Sequence, residues 1–346
     1  MAALVPHRKI VKPEQAQTKR ALAAKAFASA EAVRGEANLL YTGDHDVVLT
    51  PSGKSFVLYA ARGSSYVAMG DPVGPVSERG EALLDFHALA IRQSANPVLY
   101  SFSADLLETV VDLGYTIRKI GESAKVELKD FSLEGSARQK LRNVRNKLTR
   151  EGYRLTVFAP GDIKDWVALK AISDAWLATH QGQEKAFSLG RFDQAYLSHF
   201  PIAVIAKEGE PPVAFASLWP TPDRGDIAVD LMRQSPSAPA GTMDFMFIEA
   251  MAWAKGQGYQ WFDLGMAPLS GLPASRYAPV LNRLGAAIFE RGEDIYGFQG
   301  LRAYKQKFQP TWCALFIAAP ASVSLPLALL DVALLTSRGW LGIFRR

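Results

Sequence analysis

Short apolar runs alternate with longer stretches whose apolar residues recur every three or four positions, so strands and helices are expected to alternate along the chain. In the first half, residues 55–60 and 66–69 read as strands, 79–94 as a helix, 97–102 as a strand and 104–112 as a helix. Two more strands follow at 115–120 and 125–128. In the second half, 153–158 reads as a strand and 163–179 as a helix, before strands at 201–206, 212–219 and 226–232. A helix at 241–256, a strand at 259–264 and a helix near 279–284 complete that half. Residues 313–319 form an uncharged run suited to a buried strand. Ser324 then N-caps a helix with Pro326 in its first turn and Leu325, Ala328, Leu329, Val332 and Leu335 on one stripe.

The two halves repeat one order: a strand pair, a loop with Gly or Pro, a long helix, an apolar strand and a short helix closing on Leu-Gly. That order resembles acyltransferases of the acetyltransferase-like (GNAT) fold. The expected class is mixed α/β, with two tandem GNAT-like units at 36–135 and 153–320. A basic helical segment at 1–35 precedes them, a basic linker helix at 136–152 joins them, and an apolar helix with an interfacial tail follows at 321–346.

With 346 residues and 49% hydrophobic residues, a large core is available and global disorder is excluded. One Cys excludes a disulfide framework and a multi-Cys metal site. The first residues carry His7, Arg8, Lys9 and Lys12 with no apolar stretch between them, which is not a signal peptide. At the other end, Arg338, Trp340, Phe344, Arg345 and Arg346 suit either a helix docked on the core or contact with a membrane interface. The net charge of +5 permits an anionic partner without requiring one. The linker helix is sharper: Arg138, Lys140, Arg142, Arg145, Lys147 and Arg150 flank the apolar stripe Leu141, Val144 and Leu148. It is either a solvated linker or an anion-binding edge for nucleic acid or lipid head groups.

Nucleophile-elbow, zincin, P-loop and dinucleotide signatures are absent, so no cofactor and no metal are expected. His45, between Asp44 and Asp46, reads as part of a turn, and Cys313 beside Trp312 as core. The loop 233–241 holds two prolines and one glycine, a poor cradle for the pyrophosphate of acetyl-CoA. Three stretches carry candidate chemistry. Asp230 projects from the strand face opposite Ile227, Val229 and Leu231, with Arg233 three residues on, either as a structural ion pair or as ligands for an ammonium and a phosphate. Arg302, Tyr304, Lys305, Lys307 and Phe308 interleave aromatic and basic groups, as a solvated helix face or as the lining of an anionic pocket. Phe187, Ser188 and Arg191 lie in a loop suited to a pocket wall.

Residues 187–192 (FSLGRF), 262–269 (FDLGMAPL, with Asp263) and 304–312 (YKQKFQPTW), with Gly70-Asp71-Pro72 and the basic stretch 141–152, resemble the C-terminal catalytic domain of multiple peptide resistance factors, the aminoacyl-phosphatidylglycerol synthases. The alanyl branch is the nearer match. The resemblance implies transfer of an amino acid from aminoacyl-tRNA to the glycerol hydroxyl of phosphatidylglycerol, with alanine favoured over lysine. Such a product lowers membrane negative charge and protects against cationic antimicrobial peptides. It also implies Asp230, Arg233 and Lys305 as activity residues, Phe187, Ser188, Arg191, Asp263, Arg302 and Tyr304 around the substrate, and Arg142 and Arg145 toward tRNA. Members of the family carry an N-terminal flippase domain in the membrane, so this chain is expected to be its catalytic part or a stand-alone paralogue, working at the cytoplasmic face. The alternatives are a Fem-type peptidoglycan-precursor aminoacyltransferase, an acetyl-CoA N-acetyltransferase, and a silent RNA- or membrane-binding module.

Overall fold

The computed structural model describes residues 13–31, 33–179, 184–273 and 298–337. The expected helix near 279–284, the basic Arg291 upstream of Arg302 in the sequence, and the tail from Arg338 lie outside the described residues.

The first unit begins with α1 (Pro13–Ala28), a 3-10 helix at Gly35–Thr42, and strands β1 (Asp46–Leu49), β2 (Phe56–Arg62) and β3 (Ser65–Met69). It continues through α2 (Arg79–Arg92), β4 (Asn96–Phe102), α3 (Leu107–Asp112) and β5 (Tyr115–Glu127). After α4 (Gln139–Arg150), the second unit runs through β6 (Tyr153–Phe158), α5 (Trp166–Thr179), α6 (Gln194–Leu197), β7 (Ile202–Lys207), β8 (Ala214–Pro220) and β9 (Asp226–Gln234). It ends with α7 (Thr242–Gly256), β10 (Trp261–Pro268), α8 (Phe298–Gln306), β11 (Thr311–Pro320) and α9 (Leu325–Thr336).

Each unit repeats the GNAT-like plan: antiparallel strands, a crossover helix, then a parallel strand, with β3 parallel to β4 and β9 parallel to β10. The described strands form one sheet in the order β1-β2-β3-β4-β11-β5-β10-β9-β8-β7-β6. The last strands cross over, because β5 pairs with β10 and β11 inserts between β4 and β5. The units are therefore joined by backbone hydrogen bonds in the middle of the sheet, not by the linker helix alone.

Both faces are covered. One is packed by α1, the 3-10 helix, the segment around Phe187–Phe200, and α9. The other is packed by α2 and α3 over the first unit and by α4, α7 and Phe308 over the second. Leu141, Val144 and Leu148 face α7, which leaves the basic shoulders of α4 outward. Gly241 shows how close that contact is: it carries a φ of +92°, and an added Cβ would lie 2.7 Å from Val144 Cγ1.

Two expectations need correction. Residues 115–128 are not two strands: β5 runs unbroken through Gly121-Glu122-Ser123-Ala124. The polar residues between the two expected strands are satisfied sideways, Glu122 by Lys119, Ser270 and Arg302, and Ser123 by Asp263. The alternation in β9 also breaks. Ile227 and Val229 pack on the α7 side, but Leu231 joins Ala228 on the opposite side, beside the register shift between Ala216 and Leu218 in β8.

Candidate active site

Charged side chains from five separate segments meet on one face of the sheet centre. Arg34 precedes the 3-10 helix, Asp71 follows β3, Lys125 lies on β5, Asp226 opens β9 and Asp263 lies on β10. Strand register explains much of this: Lys125 is opposite Asp263, and Asp226 is beside Trp261. Gly70, at φ +71°, turns the chain so that Asp71 follows, and a Cβ there would stand 3.2 Å from Glu36 Cγ.

These groups border a cavity of about 510 Å³, walled by Arg34, Asp71, Lys125, Asp226, Trp261 and Leu315 among others. That is a volume typical of a small-molecule site. Lys125 Nζ donates to Asp226 Oδ2 at 2.6 Å, and Arg34 pairs with Glu36. Asp71 Oδ1 accepts from the Ser103 amide at 2.8 Å. Asp263 sits behind the wall, accepting from Ser123 Oγ at 2.6 Å and from the Gly265 amide at 2.7 Å.

Burial is the largest influence on Glu36, Asp226, Arg34 and Lys125. It pushes the Glu36 carboxyl up to about 7, with Arg34 opposing. It raises Asp226 as well, against the pull of Lys125. Burial also works against the charge on Arg34 and Lys125, yet the surrounding carboxylates win and hold both above their ordinary values.

The expected activity residues fall into two groups that share no partner among the described residues. Lys305, on α8, is 5% exposed and donates to the carbonyls of Gly265 and Met266, both at 2.8 Å. Those carbonyls lie at the register shift in β10, and Lys305 there is pushed down to about 8 by burial, with Asp263 opposing. Lys305 is thus linked to the cavity wall through Gly265, Asp263 and Ser123.

Asp230 belongs to the second group. It accepts from the Gly190 amide at 2.8 Å, from Tyr196 Oη at 2.9 Å and from Ser217 Oγ at 3.4 Å. Burial pushes it up to about 6 despite those donors. Arg233 does not form the structural ion pair with Asp230. Its Nη2 reaches Glu184 at 3.3 Å and its guanidinium lies 4.1 Å from the centroid of the Trp176 ring.

The remaining candidates are placed as follows. Phe187 is buried at φ +63° and stacks on His45 with ring centroids 5.2 Å apart. Ser188 is half-buried beside it. Arg191 ties this loop to the 3-10 helix through Asp44 at 2.8 Å and Thr42 O at 3.0 Å. Arg302 is held by Glu122 and Ser270, with its guanidinium carbon 4.1 Å from the centroid of the Trp312 ring, so it is a paired, half-buried side chain. Tyr304 packs against Phe247 and Phe308, with Lys307 Nζ 4.4 Å from its ring. On α4, Arg142 donates to Leu133 O at 2.6 Å and Arg145 pairs with Glu249 at 2.5 Å.

Arg34, Lys125 and Asp226 are not singled out by sequence reasoning, and Asp71 enters only through its motif. Their separation along the chain hides them, because no spacing rule links residues 34, 71, 125 and 226. One signal was available: Asp226 shares strand parity with Ala228 and Asp230, opposite Ile227 and Val229.

Comparison with known proteins agrees with this architecture. The family model described as phosphatidylglycerol lysyltransferase, C-terminal, matches residues 26–319, and the chain belongs to that family. A phosphatidylglycerol lysyltransferase of Bacillus subtilis is 33% identical over 314 residues, covering 90% of this chain and 36% of that protein. One from Staphylococcus epidermidis is 32% identical over 296 residues, covering 85% and 35%. The chain thus spans about a third of the length of these curated relatives. Among solved structures, the C-terminal domain of a protein named as a lysylphosphatidylglycerol synthetase from Agrobacterium fabrum superposes with a TM-score of 0.82 at 35% identity, covering 94% of this chain and 98% of that one. L-PGS from Bacillus licheniformis gives 0.79 at 33%, covering 92% and 96%. FemX shares the fold at 12% identity and a TM-score of 0.54, covering 91% and 97%.

Proposed function

We propose that this chain is the aminoacyl-transferring part of a phosphatidylglycerol-modifying enzyme, taking its amino acid from aminoacyl-tRNA. The observation that carries this reading is the family match over residues 26–319, on a fold whose central cavity combines carboxylates with an apolar wall. The reaction exchanges one ester for another. The lipid glycerol hydroxyl attacks the aminoacyl carbonyl, the terminal ribose oxygen of the tRNA leaves, and the hydroxyl proton ends on that oxygen. Because an ester is both consumed and formed, positioning and charge stabilisation are the main requirements.

Lys305 is proposed to stabilise the developing oxyanion or a terminal phosphate of the tRNA. Two of its three N–H donors are taken by carbonyls, which leaves one for a ligand among the described residues. Arg233 is proposed to hold the lipid phosphate, since its Nε has no partner among the described residues. Asp230 is proposed to act by fixing the Phe187–Arg191 loop, through the Gly190 amide. The outward face of α4, with Lys140, Arg145, Lys147 and Arg150 exposed, is proposed to follow the acceptor stem, and Arg142 to hold the adjoining loop.

The donor amino acid is read as lysine in preference to alanine. Alanine needs only a small apolar socket, whereas this cavity has room and acid to spare. No helix among the described residues is long and apolar enough to cross a membrane, so the lipid is proposed to be reached from the membrane surface. The test is a transfer assay with phosphatidylglycerol vesicles and separately charged Lys-tRNA and Ala-tRNA, counting label in extracted lipid. Label from Lys-tRNA supports this reading, and label from Ala-tRNA alone reverses the donor assignment. Label only in muropeptide amines would replace it with a Fem-type transferase.

A further inference from the structure

The course of β10 changes at Asp263, and the side chain of that residue shapes the change. Pairing of β10 with β9 runs from Trp261 to Asp263, and the register with β5 shifts between Asp263 and Met266. Asp263 Oδ1 accepts from the Gly265 amide two residues on, at 2.7 Å, and from Ser123 Oγ on β5 at 2.6 Å. Gly265 carries a φ of +85°, a left-handed conformation that suits a bulge. The bulge turns two carbonyls, those of Gly265 and Met266, onto one group: Lys305 Nζ, at 2.8 Å from each.

Asp263 is 3% exposed and Lys305 5% exposed, so two charged side chains are buried together. A buried ammonium needs acceptors and an opposite charge. The carbonyls are the acceptors. Other carboxylates on elements around α8 are engaged elsewhere: Glu122 on β5 by Lys119 and Arg302, and Asp244 on α7 by Lys307. Asp263 is the carboxylate set against Lys305, and its charge opposes the burial that pushes this lysine down.

We propose that Asp263 is the positioning residue for Lys305: its carboxylate shapes the bulge whose carbonyls hold the ammonium, and it balances the ammonium's charge. Asp263 then acts on the reaction through Lys305, not by touching substrate. The bearing on transfer rests on the donor role proposed above for Lys305.

The test separates shape from charge. Asp263→Asn keeps an oxygen acceptor for Ser123 and Gly265 and removes the charge. The full chain is labelled with 13C at the lysine ε carbon, and the Lys305 resonance, identified by its loss in Lys305→Met, is titrated by NMR. Its midpoint is expected to fall by about one pH unit or more in Asp263→Asn. Asp263 also acts on Arg34 and Lys125, so the signal is read from Lys305 itself. An unmoved midpoint in the folded Asn variant overturns the proposal.

If the Asn variant does not fold, Gly265→Ala carries the test. An added Cβ there stands 3.6 Å from Lys305 Nζ, an ordinary contact, so the strain falls on the left-handed backbone of the bulge. Displacing the two carbonyls should also lower the Lys305 midpoint, and an unmoved midpoint overturns the proposal.

Transfer gives a separate readout. In the vesicle assay, the decline at high pH should begin about one unit lower in Asp263→Asn and be absent when Lys305→Met is added. A midpoint that falls while the transfer profile stays fixed would keep Asp263 as the positioning residue and remove Lys305 from the reaction. No lipid label from any charged tRNA would remove the lipid reading and leave the titration result standing.

Discussion

Tyr196 donates its hydroxyl to Asp230 at 2.9 Å and accepts from Trp219 Nε1 at 2.8 Å, so one phenol bridges a buried carboxylate and a buried indole. The same carboxylate receives the Gly190 amide, which joins the Phe187–Arg191 loop to β9. Tyr196→Phe removes both bonds and leaves the indole N–H unpaired. A loss of about 1–3 kcal/mol is expected in urea unfolding. Unchanged stability would show that the bridge contributes nothing.

Gly190→Ala tests the same junction sterically. An added Cβ would run into Asp230 Oδ2 and stand 2.6 Å from Tyr196 Oη. Neither group has room to yield, because each is fixed by its other bonds. The variant should melt several degrees lower and lose transfer activity. Wild-type melting with full activity would mean the loop moves freely.

Lys305 makes a pH prediction with a definite sign. Its folded value of about 8 lies below the ordinary 10.5, because burial disfavours the ammonium. Between those values the unfolded chain binds more protons, so this residue's contribution to stability rises as pH rises from about 8. The charged-donor role proposed for it moves the opposite way. Transfer should decline as pH passes about 8, and Lys305→Met should cost about 10²–10³ in rate and abolish that decline. The same decline in the Met variant would assign the titration to another group.

Arg233→Lys separates phosphate binding from packing. The guanidinium carbon lies 4.1 Å from the Trp176 ring centroid, and an ammonium cannot present a planar group there or donate in a fork. If Arg233 holds the lipid phosphate, KM for phosphatidylglycerol should rise about tenfold, the scale of one lost charge-assisted bond, with kcat nearly retained. A lower melting temperature with KM unchanged would make the residue structural.

The α4 helix is tested by salt. Reversing Lys140 and Arg150 to Glu should weaken tRNA binding and reduce the slope of log affinity against log salt by about 2. Arg142→Ala should instead loosen the loop whose carbonyls it holds, seen as a lower melting temperature. A salt slope unchanged by the double reversal would move the tRNA track elsewhere.

What the sequence determined by itself was the local frame. Strands such as Tyr153–Phe158 and helices such as Leu325–Thr336 are legible because period 2 and period 3.6 are properties of neighbouring residues. The motifs around Phe187, Asp263 and Tyr304 likewise carried the family, since each is a contiguous run. Tertiary structure alone decided the rest. That β11 inserts between β4 and β5 depends on pairing across some 200 residues, for which no local pattern exists. The meeting of Arg34, Asp71, Lys125 and Asp226 follows from that strand order. Arg233 chose Glu184 and Trp176 over Asp230 for a similar reason: a side chain three residues away competes with partners that only the folded chain brings near.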